Sequence, residues 1–159
     1  MLTENFKIVP CGVDVDINSA ADNKADSINM AKYHKCTFII QYEDMGTADH
    51  IVKVFSGATD AALDSAVTFN YAFGSAAQGS ANCDVLTAWA SSAALTVAHG
   101  TYDNFMLIVE VDAAAMDTAN GEEWLTLDFN DPGNATGRAI VFAVLQPRYS
   151  GNLSPSALV

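Results

Sequence analysis

The chain predicts an all-β fold: an antiparallel β-sandwich or barrel, jelly-roll-like, with at most one or two short helical turns. Three observations carry that expectation. At least seven short apolar runs tile the sequence from residue 6 to about residue 146. β-Branched and aromatic residues dominate these runs, either in period-two alternation or in bursts too short for a buried helix. Gly, Pro, Asn and Asp punctuate them at roughly 8–12-residue intervals, the spacing of sandwiches and barrels.

In chain order, Val13, Val15 and Ile17 alternate with Asp14 and Asp16, as in a strand with one wet face. Cys36-Thr37-Phe38-Ile39-Ile40 is a continuous apolar run, so both of its faces need cover, from a second sheet or from an oligomer contact. Ile51-Val52-Lys53-Val54-Phe55 reads as a further strand, and a short helix is expected near Ala58–Leu63. Val67-Thr68-Phe69-Asn70-Tyr71-Ala72-Phe73 is the strongest strand signal, with Val67, Phe69, Tyr71 and Phe73 on one face. Gly74 to Asn82, rich in Ser, Ala and Gly, predicts a loop. Leu86–Trp89 and Leu95-Thr96-Val97 are weaker strand candidates inside an alanine-rich, ambiguous stretch.

Phe105-Met106-Leu107-Ile108-Val109 repeats the two-sided apolar pattern, and Ala113–Met116 suits a single helical turn. Glu122 and Glu123 are expected as solvated residues opening a strand after the Asn120-Gly121 turn. In that strand Leu125, Leu127 and Phe129 point inward, which turns Trp124 outward. Asn130-Asp131-Pro132-Gly133-Asn134 is a turn signal, because Pro presets φ and Gly tolerates positive φ. Ala139–Leu145 closes the set as another two-sided run. One domain over residues 1–146 follows, of which 1–10 could serve as an N-terminal arm. Residues 147–159, with Pro147, Gly151 and Pro155, predict an extended C-terminal arm.

Composition narrows the function classes. Nineteen acidic against seven basic side chains give a formal charge of −12, and the basic residues are scattered. Such a surface repels phosphate backbones and anionic lipid, so neither nucleic acid nor membrane is an expected partner. Cys11, Cys36 and Cys83 are odd in number and widely spaced, which suits reduced core thiols better than a disulfide framework or a zinc site. Met1-Leu2-Thr3-Glu4 lacks the cationic and apolar parts of a signal peptide, so the chain is expected to stay where it is made. On that expectation the sequon Asn134-Ala135-Thr136 is fortuitous.

Chemistry-bearing patterns are sparse. There is no Gly-x-Ser-x-Gly elbow, and His34, His50 and His99 read as exposed loop histidines. Glu122, Glu123 and Asp128 could imitate a glycosidase pair, but solvation explains them as well. Asp128-Phe129-Asn130-Asp131 and Asp14/Asp16 could donate oxygens to calcium, yet neither matches an EF-hand loop, and Asx turns explain the same residues. No enzyme activity, cofactor or metal is expected. Trp89 and Trp124 could stack on sugar rings, although subunit packing is the commoner role of an exposed tryptophan.

Three segments carry a family resemblance. Glu4-Asn5-Phe6-Lys7-Ile8-Val9-Pro10 leading into Val13-Asp14-Val15, Ile108-Val109-Glu110-Val111-Asp112-Ala113-Ala114, and Leu145-Gln146-Pro147-Arg148-Tyr149-Ser150-Gly151-Asn152 resemble small virion proteins of tailed bacteriophages. The group is the capsid decoration, or cement, proteins. The resemblance implies a structural protein that binds the outside of a phage shell and stabilises it, made in the bacterial host cytoplasm. Its implied partners are the major capsid protein and itself, as a symmetric homo-oligomer, a trimer ahead of a dimer. The side chains nominated for partner contact are Phe6 and Ile8 in the opening segment, Trp124, and Arg148 and Tyr149 in the closing one. The rival expectations are another structural head or tail protein, and a carbohydrate-binding jelly roll displayed on the particle.

Overall fold

Alternation along each run decides which side chains a strand buries, and the computed structural model realises it over residues 5–17, 23–130 and 136–149, the residues it describes. Eleven strands are formed there: β1 (Lys7–Asp16), β2 (Ile28–Asn29), β3 (Tyr33–Tyr42), β4 (His50–Gly57), β5 (Ser65–Ala66), β6 (Phe69–Phe73), β7 (Ala90–Ser92), β8 (Leu95–Val97), β9 (Met106–Asp112), β10 (Trp124–Asn130) and β11 (Arg138–Pro147). Helical elements among the described residues include α1 (His99–Tyr102) and three 3₁₀ turns, η1 (Met30–Lys32), η2 (Ala113–Ala115) and η3 (Thr118–Asn120).

The strands make two antiparallel sheets. One has the order β1-β11-β3-β9-β6-β7; the other has the order β2-β10-β4-β5, with β8 also on β4. Eight of the strands obey a nested rule: β1 pairs β11, β2 pairs β10, β3 pairs β9 and β4 pairs β8. The halves are then closed by β11 on β3 and β10 on β4. A long hairpin rolled up in this way is a jelly roll. The segment β5–β7 is an insertion between β4 and β8, and it widens the first sheet by adding β6 and β7 beyond β9.

The core lies between the sheets. Cys36, Phe38 and Ile40 of β3, Leu107 and Val109 of β9, and Val141 and Ala143 of β11 face Val52 and Val54 of β4 and Leu125, Leu127 and Phe129 of β10, all without exposed surface. Burying a side chain such as Leu127 stabilises by about 1.5–3 kcal/mol. The all-β sandwich expectation is met, and the two-sided runs form the interior strands β3, β9 and β11.

Local departures have physical causes. Val13 is 75% exposed although Cys11, Val15 and Ile17 face the core. Register shifts at Pro10/Gly12 and Gly12/Val15 bulge β1 and flip the intervening side chain outward. A Cβ on Gly12 would run into Val15 Cγ2, so a side chain there would force Val15 to shift. Residues 58–61 form bends and a turn rather than the expected helix; the Ala58 N–H donates to the Asp64 carboxylate at 2.9 Å and closes a loop instead. Leu86–Trp89 makes only an isolated bridge from Leu86 to Gly74. The turn at Asp131–Asn134, the sequon residues Asn134 and Ala135, and the arm residues 1–4 and 150–159 lie outside the described residues.

Candidate assembly surface

The sandwich has two outward faces, and they differ. On the five-stranded sheet the outer side bears Lys53 opposite Asp128, with Lys24 bridging Asp128. Thr126 is fully buried there under a loop, its Oγ1 2.8 Å from Ser27 Oγ, which in turn accepts the Ala61 N–H at 2.9 Å.

On the six-stranded sheet the outer side has an apolar centre. Cross-strand register runs Pro10–Phe142–Ile39–Ile108–Ala72 in one row. The next row is Ile8–Val144–Thr37–Glu110–Asn70–Ser91. Extending the β6–β7 register by one residue sets Trp89 beside Ala72. Ile8 is 44%, Phe142 40% and Trp89 49% exposed. The charged side chains of these two rows reduce to Glu110, which Lys35 pairs at 3.3 Å and to which Thr37 Oγ1 donates at 3.5 Å. Clustered exposed apolar side chains of this kind are characteristic of contact surfaces.

The nominated contact residues collect at one end of the sandwich. Lys7 stands opposite Leu145, so Phe6 and the residues after Pro147 leave the sheet at the same corner. Phe6 is half-buried, Ile8 points out from β1, and Tyr149 is 74% exposed. Arg148 is held by the chain itself: its N–H donates to Lys32 O at 2.8 Å and its Nε to Tyr33 O at 3.0 Å. The structured chain therefore runs past the expected boundary, with Pro147 inside β11 and Arg148 docked on η1 and β3. Trp124 lies on the other sheet, half-buried, opposite Asn29 and Gly57. It opens at the same end, because Glu123 and Arg148 line one cavity of about 150 Å³ together with Met30, Ala113 and Met116.

Sequence reasoning flagged the two-sided runs as needing cover but nominated none of the residues at the centre of the apolar face. Phe142, Ile39 and Ile108 carry it, and their signal was present: three continuous apolar runs where one-faced strands would have alternated. The polar candidates resolve into structural roles. His50 is fully buried, with Nε2 3.0 Å from the Tyr42 hydroxyl, against the expectation of an exposed loop. His99 Nδ1 lies 2.8 Å from Asp49 Oδ1, and the hydrogen bonds from the His99 ring and backbone hold the Asp49 carboxyl below its ordinary range.

Glu122 is buried rather than solvated; Ser56 Oγ donates to it at 2.5 Å and Ser65 Oγ at 3.0 Å. Asp14 is paired with Arg138 at 2.7 Å. Among the described residues no three His, Cys, Asp or Glu side chains come together to hold a metal ion. Asp131 lies outside them. Cys11 and Cys36 are buried, and only Cys83 is exposed. Burial pushes the Cys11 thiol up to about 11, helped by the nearby Asp26 charge, and raises Cys36 as well.

The fold and surface thus define an antiparallel jelly roll with an apolar outer sheet face. No protein-family model matches the chain, and no curated protein or solved structure matches it either.

Proposed function

We propose that this chain is a structural virion protein that binds the outer surface of a phage capsid and stabilises the shell. The observation that carries the reading is the gathering of Phe6, Trp124, Arg148 and Tyr149 at one end of the jelly roll, on a chain of net charge −12. A surface of that kind serves to cling. The family resemblance of the two ends and of β9 supplies the kind of lattice to which it clings.

Attachment to the major capsid protein falls to the end where Phe6, Trp124, Arg148 and Tyr149 collect. Binding the assembled lattice and not loose subunits shifts the equilibrium toward the intact shell, and many copies add avidity. The acidic remainder keeps particles apart.

Co-sedimentation of the purified protein with shells that lack it tests this reading. Saturable binding that raises the temperature at which the shells release DNA is the expected result. Tyr149→Asp, at a 74% exposed side chain of that end, leaves β11 and the Arg148 bonds intact and is expected to keep the fold and lose occupancy. Absence of shell binding by the full chain rejects the reading.

A further inference from the structure

We infer that the outer face of the six-stranded sheet is the surface on which two copies of this chain pack, sheet against sheet, about a two-fold axis. The inference deepens the homo-oligomer part of the function proposed above and rests on it, while naming the surface and the symmetry.

Three observations select a second copy as the occupant. The first is charge. Two chains of −12 repel, so self-association needs a surface from which unpaired carboxylates are missing. The rows through Phe142 and Val144 meet that need, because Glu110 is neutralised by Lys35 within the same chain. The outer side of the other sheet instead carries the charges of Lys53, Lys24 and Asp128 and is partly covered by the loop over Thr126.

The second is area. Six strands at about 4.8 Å spacing and about seven residues at about 3.4 Å each span roughly 24 Å by 24 Å, or about 600 Å² in projection. A standard interface takes about 600–1,000 Å² from each partner. An apolar centre of Phe142, Ile39 and Ile108 inside a polar rim of Gln41, Gln146, Asn70, Lys35 and Asp112 is the usual anatomy of such a contact.

The third is the state of the sheet edges. Edge-to-edge pairing is blunted at both ends of this sheet, by Pro10 and two bulges in β1 and by the three-residue length of β7. The face is thus better suited to self-association than either edge of this sheet. Stacked sheets pack about 10 Å apart with their strands within about 30°. A face-to-face contact is isologous, so it yields an even number of copies in place of the trimer implied by the resemblance.

Sedimentation velocity of the full chain in the absence of capsid, across a concentration series, tests the inference. The wild type is expected to dimerise. Phe142→Asp at the centre of the face is expected to weaken dimerisation by at least about 100-fold, because each copy then buries an unpaired charge. Circular dichroism and a urea midpoint check its fold; should Phe142→Asp fail to fold, Ile8→Asp on the edge strand takes its place. Thr96→Asp, on the outer side of β8, is expected to leave the dimer unchanged.

A wild type that is monomeric at every concentration overturns the inference. So does an odd-numbered oligomer, or a dimer indifferent to both face variants. A chain truncated after Tyr149 that dimerises where the full chain does not assigns the face to residues 150–159, and also overturns it. Shell binding lost in Phe142→Asp with a monomeric wild type gives the face to the capsid, which rejects self-pairing and leaves the shell-binding reading standing.

Discussion

Glu122 is the residue where a surface expectation meets the core. Two serine hydroxyls, from β4 and β5, converge on its carboxylate at the point where η3 hands over to β10. Glu122→Ala leaves both hydroxyls without that acceptor and is expected to cost about 1–3 kcal/mol. A urea denaturation midpoint measures it, and an unchanged midpoint contradicts the role. The thiols give a second residue-scale test. With Cys11 raised to about 11 and Cys36 raised by burial, both stay protonated and shielded at pH 8. Alkylation of the native protein followed by mass spectrometry is expected to mark Cys83 alone; rapid labelling of Cys11 contradicts the burial. The linkage has a definite sign. A folded pKa above the unfolded 9.0 means that the unfolded chain loses its proton first, so this contribution is fully present below pH 9 and is lost as pH rises toward 11.

At the scale of elements, β10 and β1 show opposite outcomes of one rule. In β10 strict alternation holds, and Leu127→Ala, at a fully buried position, is expected to cost about 2–5 kcal/mol in the same denaturation measurement. In β1 the bulges break alternation, so Val13→Thr is expected to fall within about 0.5 kcal/mol of wild type despite the apolar residue lost. Equal costs at the two positions would contradict the register. The sequence made β3, β6, β9, β10 and β11 legible because their inward residues are large and regularly spaced. β2, η1 and α1 were not legible: each has two to four residues and is held by tertiary bonds, such as Met30 N to Glu123 O at 2.8 Å. The bulges were hidden too, since Pro10 and Gly12 signal a break without saying which neighbour flips. Of the candidate surface, the terminal corner was legible from the ends of the chain. The apolar face was legible only as runs needing cover on both sides, because strand order, which makes Phe142, Ile39 and Ile108 neighbours, is a product of the rolled topology.

For the whole molecule, net charge and the uncharged face act against each other. Two copies of −12 meet long-range repulsion that salt screens within about 10 Å at 0.1 M. Raising the salt concentration is therefore expected to tighten self-association; weakening by salt in sedimentation equilibrium would point to an ion-paired contact elsewhere. The proposed shell binding is separate, assigned to the corner where both ends of the described chain emerge. It is also the central claim, and it is a claim about place. An image reconstruction of an intact phage particle carrying this protein tests it most directly. The account predicts jelly-roll density on the outside of the icosahedral shell, repeated at lattice symmetry positions, with the β1/β11 corner turned toward the capsid protein. Density confined to the tail, or none on the shell exterior, would contradict it.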